Sequence, residues 1–174
     1  MKTFRLPDGA WIEPLRRSHP RQEFSCGEPH VDDWLQTKAL QQQDKRLSVT
    51  RVFLDVEGKI VGFYTLATGQ VDFGDLPPEL VKRLPRRALP VAVLAWLGVE
   101  QDHRGQGWGR LLLARALRDC YESGQTFAFV AVILDCIDDA ARSFYKKWDF
   151  QALPGHKNRL FLTWKQLQAM METG

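Results

Sequence analysis

The sequence predicts an α/β domain built around one mixed sheet, and three observations carry that prediction. Apolar runs of strand length alternate with stretches whose apolar residues recur at helical spacing. Two runs, Val91–Val99 and Phe127–Leu134, are apolar throughout, the pattern of strands buried on both faces at the centre of a sheet. Between the first run and a helix beginning at Trp108 lies a short polar turn with three alternating glycines, Gly105, Gly107 and Gly109.

At 174 residues the chain is expected to form a single domain, 1–174, with a substantial core. A hydrophobic content of 44% with 26% charged residues fits a soluble globular protein. No apolar run reaches membrane-spanning length, and the polar start, Met1-Lys2-Thr3-Phe4-Arg5, lacks a signal-peptide core, so a cytoplasmic protein is expected. Cys26, Cys120 and Cys136 are odd in number and without metal spacing, which suits a reducing compartment. The four histidines show no metal spacing either, and no metal is assigned. A net charge of +3 neither requires nor excludes a polyanionic partner.

Each element has its own signal. Residues 1–23 are rich in Arg and Pro, with one short strand near Ala10–Pro14. A helix begins near Pro29, since proline suits the first helical position; Asp32 and Asp33 complement the dipole, and Val31, Trp34, Leu35 and Leu40 form its buried stripe. Thr50–Val56 and Ile60–Leu66 read as a hairpin around Glu57-Gly58-Lys59. The segment 74–89 carries three prolines with Lys82, Arg83, Arg86 and Arg87 between them, a basic surface excursion with one short helix at Glu79–Leu84. The helix from Trp108 places Leu112, Leu113, Ala116, Leu117, Cys120 and Tyr121 on one face and stops at Gly124. Asp138 or Asp139 caps the next helix, with Ala140, Ala141, Phe144, Tyr145 and Trp148 sharing a face. Phe150–Leu153 and Leu160–Trp164 form a closing hairpin, and Lys165–Met171 a terminal helix.

The glycines sit where a strand hands over to a helix N-terminus. Unpaired backbone N–H groups and the positive end of the helix dipole converge there and bind phosphate. Glycine lets the backbone approach an anion with no Cβ in the way. Arg104 and Arg110 flank the turn and add positive charge. Arg110 stands where the dinucleotide fingerprint needs its third glycine, and no Gly-Lys-Ser/Thr follows, so neither of those nucleotide motifs applies.

The turn Arg104-Gly105-Gln106-Gly107-Trp108-Gly109 does match the R/Q-x-x-G-x-G/A pattern of the GNAT superfamily of N-acetyltransferases. The order of elements is similar to the GNAT order over nearly the whole chain. Ala141–Phe150 resembles the family's A-x-x-F-Y-x-x-x-G-F segment, with Asp149 where glycine is usual. Phe24-x-Cys26-Gly27, Trp34-Leu35 and Val61-Gly62-Phe63-Tyr64 are similar to the branch containing bacterial GNAT toxins of type II toxin–antitoxin modules. That branch's L-G-R-L-A-V-D strand reads Leu94-Ala95-Trp96-Leu97-Gly98-Val99-Glu100 here, so Trp96 replaces the toxins' arginine and bears on the acceptor.

The resemblance implies a central mixed sheet flanked by helices, with a V-shaped splay between the two central strands, and acetyl-CoA as co-substrate. Members of the toxin branch acetylate the α-amino group of aminoacyl-tRNA and block translation. Relatives further imply a homodimer neutralised by a small ribbon-helix-helix antitoxin. The backbone of Leu97, Gly98 and Val99 would pair with the pantetheine arm and offer N–H to the thioester carbonyl. Arg104, Gly105, Gln106, Gly107, Trp108, Gly109 and Arg110 would hold the pyrophosphate. Tyr145 matches the tyrosine that serves as general acid toward the departing sulfur, and half-buried packing is its plain alternative. Glu100 is a candidate for receiving the amine's proton through water, with a solvated carboxylate as the plain reading. Asp135 and Asp138 resemble positions lining the cofactor's exit, although helix capping also accounts for Asp138. Cys136 beside Asp135 reads as packing, since no histidine lies near it in sequence.

Arg83, Arg86 and Arg87, with Lys82, Arg16, Arg17, Arg21, Lys146 and Lys147, offer a track for tRNA phosphates, and a solvated surface explains each one singly. Two other functions stand beside the toxin reading. One is a GNAT acting on a small amine, a protein N-terminus or lysine; the other is a non-catalytic acyl-CoA-binding regulator.

Overall fold

The computed structural model describes residues 5–173. The start of the chain, Met1–Phe4, on which the reading of the N-terminus rests, lies outside the described residues. The strands β1 (Trp11–Pro14), β2 (Val49–Leu54), β3 (Ile60–Asp72), β4 (Ala88–Val99), β5 (Ala131–Asp135), β6 (Gln151–Leu153) and β7 (His156–Thr163) form one sheet in the order β1-β2-β3-β4-β5-β7-β6. The chain divides into two compact units, one holding 5–67 and Leu94–Leu117, the other Thr68–Val93 and 118–173. Among the described residues no helix is long and apolar enough to cross a membrane.

In the first unit, β1 (Trp11–Pro14) pairs antiparallel with β2 (Val49–Leu54), Trp11 opposite Leu54. β2 pairs antiparallel with β3 (Ile60–Asp72), a hairpin whose register shifts at Phe53/Leu54. The expected helix is three pieces end to end. They are α1 (Pro29–Asp33), a π-helical turn (Trp34–Lys38) and α2 (Ala39–Asp44). Asp32 does more than complement the dipole, since its carboxylate accepts the Cys26 N–H at 2.8 Å and ties the preceding loop to the helix. Leu15, Phe24, Val31, Leu35, Ala39, Val52 and Phe63 form this unit's core.

β4 (Ala88–Val99) starts three residues before the expected run and is not buried throughout. Ala95 is exposed, and Val93, Trp96, Leu97 and Val99 are half-buried. An apolar run alone cannot report that part of a strand is left uncovered. α4 (Trp108–Gly124) follows the expected bounds and buries Trp108, Leu112, Leu113, Ala116, Leu117 and Cys120. Gly124 is its last helical residue and is not left-handed, so packing and not a glycine stop accounts for it: a Cβ there would lie 2.3 Å from Trp164 and 3.0 Å from Phe129.

In the second unit, β4 pairs in parallel with β5 (Ala131–Asp135) over Val91–Val93 against Ala131–Ile133. Phe127–Val130 stay outside the strand, Phe127 being 78% exposed, so β5 is shorter than its apolar run. β7 (His156–Thr163) pairs antiparallel with β5 and with the edge strand β6 (Gln151–Leu153). α3 (Pro78–Val81) is the short helix of the basic excursion, ending three residues before Leu84. Val71, Leu76, Val81, Leu89, Val91, Ile133, Leu153 and Phe161 make the core. α5 (Asp139–Lys146) is capped by Asp138, and α6 (Trp164–Glu172) by a reciprocal box of Thr163 and Gln166. On α5, Tyr145 is buried and Ala141 and Phe144 are half-buried, but Ala140 faces solvent; Trp148, expected on the same face, is half-buried in the turn beyond the helix. Asp149 adopts φ 69°, the left-handed stop its position requires.

Candidate active site

The strand-to-helix turn has the form an anion needs. Gly105 and Gly107 take φ of 76° and 85°, and no atom lies within 4 Å of where a Cβ would stand on either. Both are therefore required by backbone conformation, and among the described residues, their chain neighbours aside, they leave open space in front of it. Gly109 lies inside the first turn of α4, among the N–H groups that have no intrahelical partner. Arg5, Pro7, Gln106, Gly107, Trp108, Arg110 and Leu111 line a cleft of about 220 Å³ beside the turn. The N-terminal segment's contribution through Arg5 had no signature in the sequence. Trp108 is buried, its ring edge-on to Phe53 at 6.1 Å and to His103 at 6.4 Å, so it anchors the helix start.

Arg104 departs from expectation. Its guanidinium donates to the Cys26 carbonyl, so the side chain braces the loop before α1, and only its backbone belongs to the turn. Gln101 N–H adds a second brace to that loop, donating to the Ser25 carbonyl at 2.8 Å. Gly27 in that loop has φ 88° and would set any Cβ 2.8 Å from the Arg104 guanidinium.

The strand leading into the turn is packed hard at one point. Gly98 is buried, and a Cβ there would lie 2.9 Å from Val31, 3.1 Å from Phe63 and 3.5 Å from Phe24. Leu97 and Val99, either side of it, are half-buried. Glu100 N–H donates to the Val61 carbonyl at 2.7 Å, while its carboxylate accepts from Asp102 N–H at 2.9 Å and approaches His103 Nδ1 at 3.5 Å. Glu100 thus caps the turn Gln101–His103.

Tyr145 belongs to the other unit. It is 9% exposed, edge-on to Phe144 at 5.2 Å and to Phe150 at 5.8 Å. Burial, and then the nearby Cys136 thiol, push its phenol above its ordinary pKa of 10.0. The phenol is consequently a donor across the neutral range. Asp138 accepts Ala141 N–H at 2.7 Å, so capping occupies the carboxylate expected at the cofactor's exit. Asp135 forms a two-point ion pair with Arg159, at 2.9 and 3.2 Å. Cys136 is buried, with its thiol 3.1 Å from the Asn158 carbonyl and pushed upward by desolvation, the state of a packing residue. Arg83, Arg86 and Arg87 are exposed on the excursion, Arg86 lying over the Phe73 ring at 5.8 Å. Among the described residues no group of three or more His, Cys, Asp or Glu is placed to hold a metal ion.

Comparison with known proteins adds four findings. Residues 12–150 match the acetyltransferase (GNAT) family. A tRNA-acetylating toxin of Mycobacterium tuberculosis is 34% identical over 149 residues, which cover 85% of this chain and 88% of that protein. Among solved structures, AtaT complexed with acetyl-methionyl-tRNAfMet superposes with a TM-score of 0.85 at 24% identity, covering 93% of this chain and 99% of that one. AtaTR bound with acetyl-CoA gives 0.83 at 24% identity, covering 95% and 99%.

Proposed function

The chain belongs to the GNAT acetyltransferase family, whose members transfer acetyl from acetyl-CoA to an amine, and we propose that its acceptor is the α-amino group of aminoacyl-tRNA, making it a translation-blocking toxin. The observation that carries the donor half is the open glycine turn at the N-terminus of α4, with Gly105 and Gly107 held in left-handed conformations. The acceptor half is supported by the 34% identity to a protein named for acetylating tRNA.

In this reading residues 1–174 act as one acetyltransferase domain. Gly105, Gln106, Gly107, Trp108, Gly109 and Arg110, with the backbone of Arg104, hold the pyrophosphate by backbone N–H groups and positive charge. The backbone of Leu97, Gly98 and Val99 aligns the thioester and stabilises the oxyanion that develops on its carbonyl. The acceptor nitrogen bonds to the carbonyl carbon, the carbon–sulfur bond breaks, and the electron pair leaves on sulfur. Tyr145 is the donor to that sulfur, a role its protonated phenol suits. The nitrogen's surplus proton passes to water. Arg83, Arg86 and Arg87 contact tRNA phosphates, a role that exposed guanidinium groups on a proline-braced loop suit. Asp138 serves the cofactor's exit only indirectly, by fixing the start of α5. Continuing the same reading, the protein is a cytoplasmic homodimer restrained by a small ribbon-helix-helix antitoxin.

The test is transfer of label from acetyl-CoA to a pool of charged tRNA, with acetyl-CoA binding measured in parallel. Label on the amino acid is expected. Tight binding without labelled tRNA would overturn the acceptor and point to a small amine or protein acceptor. Binding without turnover on any amine would leave an acyl-CoA-binding regulator.

A further inference from the structure

Trp96 stands where the toxin pattern carries arginine, and the fold gives it a partner. Its ring is stacked on that of Trp34, centroids 5.1 Å apart and planes 10° from parallel. Trp34 is held from behind: its Nε1–H donates to Thr65 Oγ1 at 3.1 Å, and Thr65 is paired with Thr50 at 2.7 Å, both threonines fully buried. Trp34 also opens the π-helical turn Trp34–Lys38, a local widening of the helix that recurs at functional sites. Both indoles are half-buried, so a rigid aromatic pair is kept partly open to solvent.

Its position gives the pair a use. Side chains alternate along β4, so Trp96 and Gly98 lie on the same face, one two-residue repeat of about 7 Å apart. That face is the one covered by α1, because a Cβ on Gly98 would meet Val31, Phe24 and Phe63. α4 packs on the opposite face: Gly62, next to Phe63 in β3 and pointing the other way, has Leu112 within 2.7 Å of its Cβ position. The donor's phosphates are held at the start of α4, and α1 leaves its own face incompletely covered at Trp34 and Trp96, so the acceptor is assigned to that opening.

We infer that the Trp34–Trp96 pair is the wall against which the acceptor's aminoacyl side chain packs, and that it selects flat or apolar side chains over charged ones. This rests on the aminoacyl-tRNA reading above. An indole face offers dispersion and a negative quadrupole, which favour aromatic and aliphatic groups and disfavour a carboxylate.

The experiment compares kcat/KM for tRNA charged with phenylalanine, glycine and aspartate, using wild type, Trp96→Ala, Trp96→Phe and Trp96→Arg. Wild type is expected to prefer the phenylalanyl over the aspartyl acceptor by about tenfold or more, the scale of one aromatic stacking contact. Trp96→Ala brings the ratio toward one, Trp96→Phe retains most of it, and Trp96→Arg shifts it toward aspartate. A uniform loss on all three acceptors with an unchanged ratio overturns the inference, because it reports a structural role or stacking on the shared terminal adenosine. If Trp96→Ala does not fold, the Phe and Arg variants decide the same ratio. Failure of wild type to acetylate any charged tRNA, with acetyl-CoA still bound, refutes the underlying function instead.

Discussion

Replacing Gly98 with alanine tests how tightly the strand beside the proposed thioester site is packed. The new methyl would fall 2.9 Å from Val31 Cγ1 and 3.1 Å from Phe63 Cε1, with Phe24 behind at 3.5 Å. All three neighbours are buried, Phe63 completely, so none can swing into solvent. Overpacking of this kind costs about 1–3 kcal/mol, offset by the roughly 0.5–1 kcal/mol gained when alanine replaces glycine in a strand. A net loss of about 1–2 kcal/mol is expected, which lowers Tm by roughly 2–8 °C in a chain of this size. The stiff Val31 is the closest obstacle, so Val31→Ala should relieve part of the clash. Urea unfolding followed by circular dichroism, run on both single variants and the double, isolates that relief. A favourable coupling of about 1 kcal/mol is expected between the two sites. Additive single effects, or a Gly98→Ala protein as stable as wild type, would refute the packing argument.

Three further outcomes follow from the geometry. Asp149 holds φ 69°, so Asp149→Gly should raise stability by about 0.5–1 kcal/mol and Asp149→Val lower it by roughly 1–2 kcal/mol, read as opposite shifts in Tm. Asp138→Ala removes the α5 cap and should cost about 1 kcal/mol, whereas Asp138→Asn should cost less, both measured by urea unfolding. Cys26 and Cys120 have pKa values raised from 9.0 to about 12, chiefly by burial, and Tyr145 is raised as well. The native state therefore keeps protons that the unfolded chain releases first. The resulting stability is complete below about pH 9 and is lost as pH climbs toward 12. The urea midpoint should hold steady near pH 8 and fall beyond pH 9, and a midpoint unchanged at pH 11 would contradict the assigned burial.

Much of this was legible in the sequence because local chemistry and tertiary demand agree at the decisive points. The turn from Arg104 to Arg110 reads as an anion cradle since glycine, helix start and charge coincide there. α4 reads well because its apolar period is long and ends against Trp164. Apolar runs misled where one property has two causes: Phe127–Val130 is as apolar as β5 yet lies outside it, and Ala95 sits exposed within β4. Side-chain direction was not legible either. Nothing in the order of residues reveals that Arg104 turns away to the Cys26 carbonyl, that Arg5 lines the cleft, or that Trp34 and Trp96, sixty-two positions apart, stack face to face. Such pairings are decided by the fold, and only the departure at position 96 hinted at one of them.

The protein's proposed reaction is acetyl transfer to the amino acid esterified on tRNA, with Tyr145 as proton donor. Its most direct test is mass spectrometry of the terminal aminoacyl-adenosine that nuclease releases from charged tRNA after incubation with the protein and acetyl-CoA. The expected result is an aminoacyl-adenosine one acetyl group heavier on its amino nitrogen. With Tyr145→Phe that product should form at least about a hundredfold more slowly, the scale of a lost general acid, with acetyl-CoA affinity retained. An unmodified aminoacyl-adenosine from wild type that still binds acetyl-CoA would contradict the acceptor, and full activity in Tyr145→Phe would contradict the donor.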